Sequence, residues 1–453
     1  MSDLTKLTVE QLIDPKGFDC DCHRHHAVNI AYVKSCRGAI ESAPEMLKAL
    51  GSQYPFVLCD RNTYRAAGEK LCEVLKNAGI DYKLYVLPKD KPAPDEWTIG
   101  NALMHFDTKC DLILGVGSGV INDSCKELAF KTGRKNAIVG TAPSMDGFAS
   151  ATGSMELDHV KVSLNNQCPQ GILLDADILA QAPMRMLWAG FGDMLAKYVA
   201  ICEWRITNLV TGEYYCEEIA KMMRSALAKI VANAEKLVAR DPDAVKAVAD
   251  GLLIAGLGMA FAGCSRPASG LEHYFSHMWE MMALDRNQPY DLHGIQVGVG
   301  TVLSLRLYEF IKLQKPDRER MLAHAKAFSR SEWEAQVRRI FGKAADEIIR
   351  IEERDKKNDP EKLLQRIDRI CEHWDDILRI IDEELPDYDS MFALMKKLGM
   401  PTEPKDMDIC DDDVVDAYLG ARDIRGKYLS CSLLWDMGLE KEAAEYVRKS
   451  LVQ

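Results

Sequence analysis

The chain has 453 residues, of which 47% are hydrophobic and 28% are charged, and its formal net charge is −12. This length and composition are typical of a globular protein large enough for two domains. The acidic balance argues against nucleic acid and against an anionic lipid surface as partners, so we expect neither.

The N-terminal stretch "MSDLTKLTVEQLIDPKG" lacks the basic-then-apolar pattern of a secretory signal. The fourteen cysteines are scattered along the chain, and many lie in apolar runs. We therefore expect reduced thiols and a cytoplasmic protein. The longest apolar run, residues 251–264, is broken by glycines and is too short to span a bilayer, so it predicts a buried helix.

The stretch "FDCDCHRHHAV" concentrates five side chains that can ligate zinc: Cys20, Cys22, His23, His25 and His26. Structural zinc sites usually combine a Cys-x(2–4)-Cys pair with a second, well-separated pair of ligands. Here all five candidates lie together, and Cys-x-Cys is shorter than the usual zinc knuckle. We interpret the stretch as a segment that precedes the first strand, with the catalytic metal elsewhere.

Short β-like runs alternate with helical segments in the first part of the chain. Strands are predicted at residues 54–60, 82–87, 111–117 and 136–143. This alternation predicts a parallel sheet covered by helices on both faces, which is a Rossmann-like α/β domain over residues 1–180.

The β pattern ends near residue 180, and the remaining chain shows helical spacing with short breaks at Pro, Gly or Asp. Residues 314–386 are heavily charged, but their apolar residues still recur at helical spacing. We predict packed amphipathic helices in this segment. The second domain, residues 181–453, is therefore predicted to be all-α.

A glycine-rich turn, "GVGSGVIND", joins the third predicted strand to a helix. Such a turn lets the backbone approach a pyrophosphate, and the helix N-terminus then offers unpaired N–H groups. Asp60 ends the first predicted strand, where a carboxylate can bind an adenosine ribose. An ordinary Rossmann unit has its glycines after the first strand and its acid later, so the reversed order indicates a different nucleotide-binding family.

Three stretches of the helical half offer metal ligands: "AGFGDMLAKY" with Asp193, "GLEHYFSHMWE" with His273 and His277, and "DLHGIQVG" with His293. His273 and His277 are four residues apart and share one helical face. Two imidazoles and one carboxylate would leave an open position on a divalent ion, as in catalytic zinc sites. The residues alone indicate a metal-assisted nicotinamide oxidoreductase.

Five motifs together resemble the glycerol-1-phosphate dehydrogenase family, and more closely its AraM-like bacterial branch: "GVGSGVIND", "GTAPSMDGFAS", "GFGDMLAKY", "SRPASGLEHYFSH" and "LHGIQVGVGT". The family belongs to the superfamily of metal-dependent alcohol dehydrogenases, glycerol dehydrogenase and 3-dehydroquinate synthase. The resemblance covers nearly the whole chain and implies a dehydroquinate synthase-like fold, with the active site in the cleft between the two domains.

The resemblance also implies a role for individual residues. Asp193, His273 and His293 would bind the metal, and Asp146 and His277 would contact the substrate. The nicotinamide cofactor would be held by Asp60, Gly117, Ser118, Gly119, Val120, Ile121, Asn122, Thr141, Ser144 and Ser150. Arg266 in "SRPASG" is our candidate for the cation that binds the substrate phosphate.

The implied activity is reduction of dihydroxyacetone phosphate to sn-glycerol 1-phosphate with NADH or NADPH, by a homodimer with zinc or nickel. The ligand types also suit iron. Three alternatives stay open: a glycerol, polyol or alcohol dehydrogenase acting on an unphosphorylated substrate, a synthase that recycles NAD, and a non-catalytic interaction protein. Asp60 favours NAD because it would repel a 2′-phosphate, while Arg61 beside it would favour NADP.

Overall fold

The computed structural model describes residues 3–158 and 160–451. Contacts between Cα atoms divide the chain into two compact units. Unit 1 comprises Met1–Met194 and Cys216–Pro267, and unit 2 comprises Leu195–Tyr215 and Ala268–Gln453. The division at residue 180, made on the type of secondary structure, stays a prediction.

Unit 1 contains a six-stranded parallel sheet with the strand order β3-β10-β7-β6-β4-β5. All four predicted strands are confirmed, and they correspond to β4, β5, β6 and β7. Two further antiparallel pairs, β1 with β2 and β8 with β9, lie outside this sheet. The strands are β1 Phe18–Asp19, β2 His25–His26, β3 Tyr32–Cys36, β4 Pro55–Asp60, β5 Lys83–Leu87, β6 Leu112–Gly117, β7 Lys135–Gly140, β8 Thr152–Leu157, β9 Val160–Asn165 and β10 Gly171–Asp175.

Strands β4, β6 and β10 are buried at every position, as expected for parallel strands covered on both faces. Their sequences are accordingly apolar runs rather than alternating patterns. The edge strand β3 alternates between buried and half-buried positions, and its weaker apolar signal explains why it was not predicted.

Unit 1 contains the helices Val9–Leu12, Ala43–Leu50, Arg61–Thr63, Glu69–Asn77, Glu96–His105, Gly119–Thr132, Ala176–Leu179, Glu217–Ala232, Ala234–Val238 and Pro242–Ala262. The 3-10 turns are Leu4–Lys6, Ala39–Ser42 and Asp146–Ala149, and Tyr64–Gly68 is a π-helical turn. A long helix, Met184–Thr211, begins in unit 1 and continues into unit 2.

The apolar run predicted at 251–264 belongs to the longer helix Pro242–Ala262, which has 21 residues. By length and composition this helix could cross a membrane, and among the described residues it alone passes that test. In its most apolar window, 67% of the residues are buried, as expected for a core helix.

The described residues of unit 2 form helices joined by loops, with no strand, which confirms the predicted all-α class of the C-terminal part. Its further helices are Leu271–Asp285, His293–Lys312, Arg318–Ala327, Arg330–Phe341, Ala345–Asp355, Pro360–Glu372, Trp374–Glu384, Tyr388–Lys397, Asp411–Ala421, Ser430–Asp436 and Glu440–Ser450, with 3-10 turns at Gly342–Ala344 and Pro404–Met407.

The charged segment 314–386 forms amphipathic helices, as predicted. Their apolar faces contribute Trp333, Ile348, Ile367 and Ile377 to the hydrophobic core of unit 2. The charges of the segment lie mainly on the opposite, solvated faces.

Candidate functional site

The carboxyl edge of the parallel sheet collects the predicted cofactor residues of unit 1. Strand β6 pairs with β4 on one side and with β7 on the other. The chain passes from β4 outward to β5 and then returns to β6 on the other side of β4. This reversal is a topological switch point, where open α/β sheets bind ligands beyond the strand ends.

Asp60 is held rigidly at the end of β4. Its Oδ1 accepts hydrogen bonds from the backbone N–H groups of Asn62 at 2.7 Å and Thr63 at 2.9 Å. Its other carboxylate oxygen accepts no hydrogen bond from the residues that the structure describes. The adjacent Arg61 is paired with Asp90, at 3.0 Å between Nη1 and Oδ1. Asp60 therefore has a fixed carboxylate with one oxygen left for a ribose hydroxyl.

The glycines of the turn after β6 allow the following helix to pack closely against the strand and leave space at its first residue. A Cβ on Gly117 would lie 2.5 Å from Cβ of Ile121, so glycine is required for the helix to pack against its own strand. A Cβ on Gly119 would meet no atom closer than 3.5 Å, a contact with Met145. Gly119, the first residue of the helix Gly119–Thr132, therefore has space beside its Cα. Close approach of a pyrophosphate to a helix N-terminus needs such space.

Neighbouring residues join this turn to the end of β7. The hydroxyls of Ser118 and Ser144 lie 2.5 Å apart, and the N–H of Thr141 donates to the carbonyl of Gly117 at 3.0 Å. All three of these predicted cofactor side chains are buried. The structure thus places Asp60, the 117–122 turn, Thr141 and Ser144 along one edge of the sheet.

A buried lysine that sequence reasoning missed orders the segment after β7. The ammonium of Lys126 donates to the carbonyls of Gly147 at 2.6 Å and Thr152 at 2.9 Å, and to the hydroxyl of Ser150 at 3.0 Å. The side-chain amide of Asn122 also donates to the Gly147 carbonyl, at 3.1 Å. Asn122 and Ser150, both predicted to bind cofactor, thus belong to an internal network. The detectable signal was a lysine four residues after Asn122, on the same helical face.

Asp146 and Asp193 are brought together within unit 1. The backbone N–H of Asp146 donates to Oδ2 of Asp193 at 2.9 Å, and Asp193 is fully buried. One turn earlier, a Cβ on Gly190 would lie only 1.7 Å from the carbonyl oxygen of Pro143. Glycine is therefore required for the helix to approach the segment after β7. Arg266, also in unit 1, is 3% exposed.

The three predicted histidines converge within unit 2. His273 and His277 lie on the helix Leu271–Asp285, and His293 begins the helix His293–Lys312. The ring centroid of His293 lies 5.3 Å from that of His273 and 5.4 Å from that of His277. These separations bring the imidazoles close enough to act on one small ligand or ion.

Two residues that the sequence analysis missed orient these imidazoles. Nδ1 of His273 lies 2.8 Å from Oε1 of the buried Glu272, and Nδ1 of His293 lies 3.0 Å from Oγ of Ser276. Each contact engages the Nδ1 atom of its ring, so Nε2 is the atom that would ligate an ion. A carboxylate or hydroxyl behind a histidine is the usual support for a metal ligand, so the donor set fits a divalent ion. Glu272 and Ser276 lie in the same "GLEHYFSH" motif.

His277 has a different environment from the other two histidines. Burial lowers the pKa of the His277 imidazole well below its usual range. Glu280 lies 3.7 Å from its Nδ1 and 3.4 Å from Nδ1 of His293. His277 is therefore neutral at neutral pH, and it can donate or accept a hydrogen bond without carrying charge.

Comparison with known proteins identifies the class of this fold. The chain superposes on a probable glycerol dehydrogenase from Sinorhizobium meliloti with a TM-score of 0.60 at 18% identity, covering 93% of this chain and 98% of that one. Glycerol dehydrogenase from Schizosaccharomyces pombe gives a TM-score of 0.61 at 15% identity, covering 93% and 90%. Residues 34–183 match the family model described as iron-containing alcohol dehydrogenase. The fold is that of glycerol and alcohol dehydrogenases.

Sequence relatives narrow the class to one family. The glycerol-1-phosphate dehydrogenase [NAD(P)+] of Halalkalibacterium halodurans is 34% identical over 296 residues, which are 64% of this chain and 74% of that protein. The Bacillus licheniformis protein of the same name is 27% identical over 424 residues, covering 93% and 92%. The chain belongs to the glycerol-1-phosphate dehydrogenase [NAD(P)+] family, as the motifs predicted.

Proposed function

We propose that this chain is an NAD(P)-dependent sn-glycerol-1-phosphate dehydrogenase that reduces dihydroxyacetone phosphate. Relatives of this name, including the one at 34% identity over 296 residues, carry the proposal. The residues at the sheet edge and the oriented histidines support it, because both are suited to the cofactors that such a reaction needs.

Asp193, His273 and His293 are the proposed metal ligands. The support comes from each unit separately: Asp146 fixes the carboxylate of Asp193, while Glu272 and Ser276 orient the two imidazoles. Zinc, nickel and iron all accept imidazole and carboxylate, and we favour zinc or nickel. Selection among these ions depends on the geometry of the site and on metal supply.

When bound, the dihydronicotinamide supplies a hydride and the divalent ion polarises the ketone oxygen of the substrate. Residues of the chain would position the cofactor and the substrate. Asp60 would accept a hydrogen bond from a ribose hydroxyl, and the N-terminus of Gly119–Thr132 would hold the pyrophosphate. The carboxylate of Asp146 orients a substrate hydroxyl, and neutral His277 passes a proton from solvent towards the substrate oxygen.

Four finer assignments belong to this proposal. NAD(H) is preferred over NADP(H), because Asp60 repels a 2′-phosphate and the salt bridge to Asp90 occupies Arg61. Arg266 pairs with the substrate phosphate. The enzyme acts in the cytoplasm, in keeping with its scattered cysteines, and as a homodimer, in keeping with its family.

The experiment compares dihydroxyacetone phosphate with dihydroxyacetone as substrates for NADH oxidation by zinc- or nickel-loaded enzyme. We expect kcat/KM to be much higher for the phosphorylated ketone. Arg266→Gln should reduce that preference while leaving turnover of dihydroxyacetone unchanged. Equal rates for the two ketones would instead indicate a polyol dehydrogenase.

A further inference from the structure

Unit 1 contains a second cluster of metal-ligating side chains, which shares no residue with the proposed catalytic ligands. Cys20, Cys22, His26 and Cys216 each offer one ligand atom, and these four atoms all lie within 4.8 Å of one another. Cys20, His26 and Cys216 are buried, and Cys22 is partly exposed.

Three separations between the ligand atoms lie within about 0.3 Å of the edges of a zinc tetrahedron. Sγ of Cys20 lies 3.5 Å from Sγ of Cys216, and Nε2 of His26 lies 3.2 Å from Sγ of Cys22 and 3.9 Å from Sγ of Cys216. Zinc–sulfur bonds of about 2.3 Å and zinc–nitrogen bonds of about 2.0 Å give tetrahedral edges of roughly 3.5 to 3.8 Å. A zinc ion could therefore enter with small side-chain adjustments.

His26 is already oriented as a ligand. Its Nδ1 donates to the backbone carbonyl of Phe261 at 2.9 Å, which leaves Nε2 to face the three sulfur atoms. The rings of Phe18 and Phe261 lie 5.2 Å and 5.9 Å from the imidazole ring. A backbone carbonyl behind the histidine and apolar rings around it are the usual surroundings of a structural metal site.

The cluster depends on a turn that spacing alone does not reveal. The N–H of Cys20 donates to the carbonyl of Arg24 at 3.1 Å, and the short strands β1 and β2 pair on either side of this turn. His26 thereby returns to the side of Cys20 and Cys22. Gly17, with a φ of +59°, lies so close to His26 that a Cβ would be 2.2 Å from its carbonyl oxygen.

The fourth ligand comes from a distant part of the chain. Cys216 caps the N-terminus of the helix Glu217–Ala232 and is 190 residues from His26. The sequence interpretation considered only residues close to Cys20 and therefore found no second pair of ligands. His23 and His25, which it also considered, are not members of the cluster.

We propose that Cys20, Cys22, His26 and Cys216 bind a structural zinc ion that joins the N-terminal hairpin to the helix Glu217–Ala232. Three cysteines and one histidine are a common structural zinc set, and four protein ligands leave no position for substrate. With three thiolates, the zinc site would have a net charge of −1. The partial exposure of Cys22 gives the ion a route of entry. The site ties two segments of unit 1 that are far apart in sequence.

Cobalt substitution tests the proposal on the unaltered protein. The proposed catalytic ligands include no cysteine, so thiolate-to-cobalt charge-transfer absorption reports the cysteine site alone. We expect an intense charge-transfer band together with the d–d spectrum of tetrahedral cobalt, and about two divalent ions per chain in the metal-loaded enzyme. Absence of the charge-transfer band at full cobalt loading would overturn the proposal.

Variants locate the ion. Cys22→Ser and Cys216→Ser should each abolish the charge-transfer band and lower the zinc content to about one ion per chain. The matched controls are Cys410→Ser, at an exposed cysteine, and His25→Ala, in the same hairpin, and both should keep the band. A Cys20–Cys216 disulfide in the purified protein, found as two missing thiols when the denatured chain is titrated, would contradict the proposal.

Discussion

The ammonium of Lys126 donates a hydrogen bond of 2.6 Å to the carbonyl of Gly147, the residue that follows Asp146. Lys126 is fully buried, with 1% of its surface exposed, and its other acceptors lie in the same segment or on its own helix. A buried charge is stable only when it is paired and hydrogen-bonded, so this network holds the segment 146–152 in one conformation.

Lys126→Met should therefore impair catalysis although Lys126 is not a proposed ligand of the metal. The change removes the ammonium donor shared by the Gly147 and Thr152 carbonyls, which keep only donors from Asn122 and Ser150, and it loosens the segment that holds Asp146. A misplacement of about 1 Å can cost about 100-fold in rate, so we expect a loss of that order in kcat/KM. Steady-state kinetics of NADH oxidation measure it. Lys131→Met, at an exposed position of the same helix, is the matched control and should retain activity.

Asp60→Asn should shift the cofactor preference towards NADPH. Asparagine keeps the helix-capping hydrogen bonds from Asn62 and Thr63 but removes the charge that repels a 2′-phosphate. The ratio of kcat/KM for NADPH to that for NADH should rise at least about tenfold, equivalent to about 1.4 kcal/mol. Asp81→Asn, at an exposed acid elsewhere in unit 1, should leave the ratio unchanged. An unchanged ratio in Asp60→Asn would remove Asp60 from the ribose site.

Glu272→Gln should weaken metal binding although Glu272 is not itself a proposed ligand. Its carboxylate contacts Nδ1 of His273 at 2.8 Å and so fixes the orientation of the proposed ligand ring. Loss of such a supporting carboxylate typically lowers metal affinity by about 10- to 100-fold. Competition with a chelator, followed by metal analysis, measures the change. Glu309→Gln on the neighbouring helix serves as the control, and equal affinity in the two variants would argue against His273 as a ligand.

The stability of the protein should depend on the ionisation of Glu203 in unit 2. Burial, and the nearby carboxylate of Glu272, raise the pKa of Glu203 to about 7. In the unfolded chain a glutamate titrates at about pH 4.3. Between about pH 4.3 and 7 the folded state therefore binds more protons than the unfolded state. This contribution to stability is therefore complete at low pH and is lost as the pH rises towards 7.

Glu203→Gln tests that dependence. The variant cannot ionise at this position, so its thermal midpoint should fall less than that of the parent between pH 5 and pH 8. Thermal unfolding across that range provides the comparison. The exposed Glu361→Gln variant should follow the parent curve. If Glu203→Gln also followed it, Glu203 would be titrating at its ordinary pKa.

A pair of positions on the helix Pro360–Glu372 tests the packing of the charged segment. Ile367 is fully buried in the core of unit 2, whereas Leu364 is 43% exposed. Ile367→Ala should lower the free energy of unfolding by about 2–5 kcal/mol, and Leu364→Ala by less than about 1 kcal/mol. Denaturant unfolding monitored by circular dichroism measures both. Equal effects would contradict the amphipathic packing.

Local periodicity was sufficient to predict the strands and helices with strong apolar patterns. The runs that became β4 and β6 are buried at every residue, and the helices of 314–386 keep helical spacing despite their charge. Strands β3, β8 and β9 were not predicted because their apolar patterns are weaker. Strand β10 is the exception among the apolar runs, since it was not predicted although it is buried at every position.

Contacts between distant residues could not be predicted in the same way. His273 and His293 were identified through motifs, but the support of His293 by Ser276 depends on how two helices meet. The burial of Lys126 could not be predicted from the sequence, because it depends on carbonyls that a later segment supplies. Cys216 joins Cys20 and His26 only after folding, which no local spacing rule expresses.

The configuration of the product is the most direct test of the proposed function. Dihydroxyacetone phosphate and NADH should be incubated with metal-loaded enzyme until NADH is consumed, and the glycerol phosphate should then be offered to an sn-glycerol-3-phosphate-specific dehydrogenase. We predict that NADH is consumed and that the product resists oxidation by that enzyme, because it is sn-glycerol 1-phosphate. Complete oxidation of the product, or no consumption of NADH with the phosphorylated ketone, would contradict the proposed function.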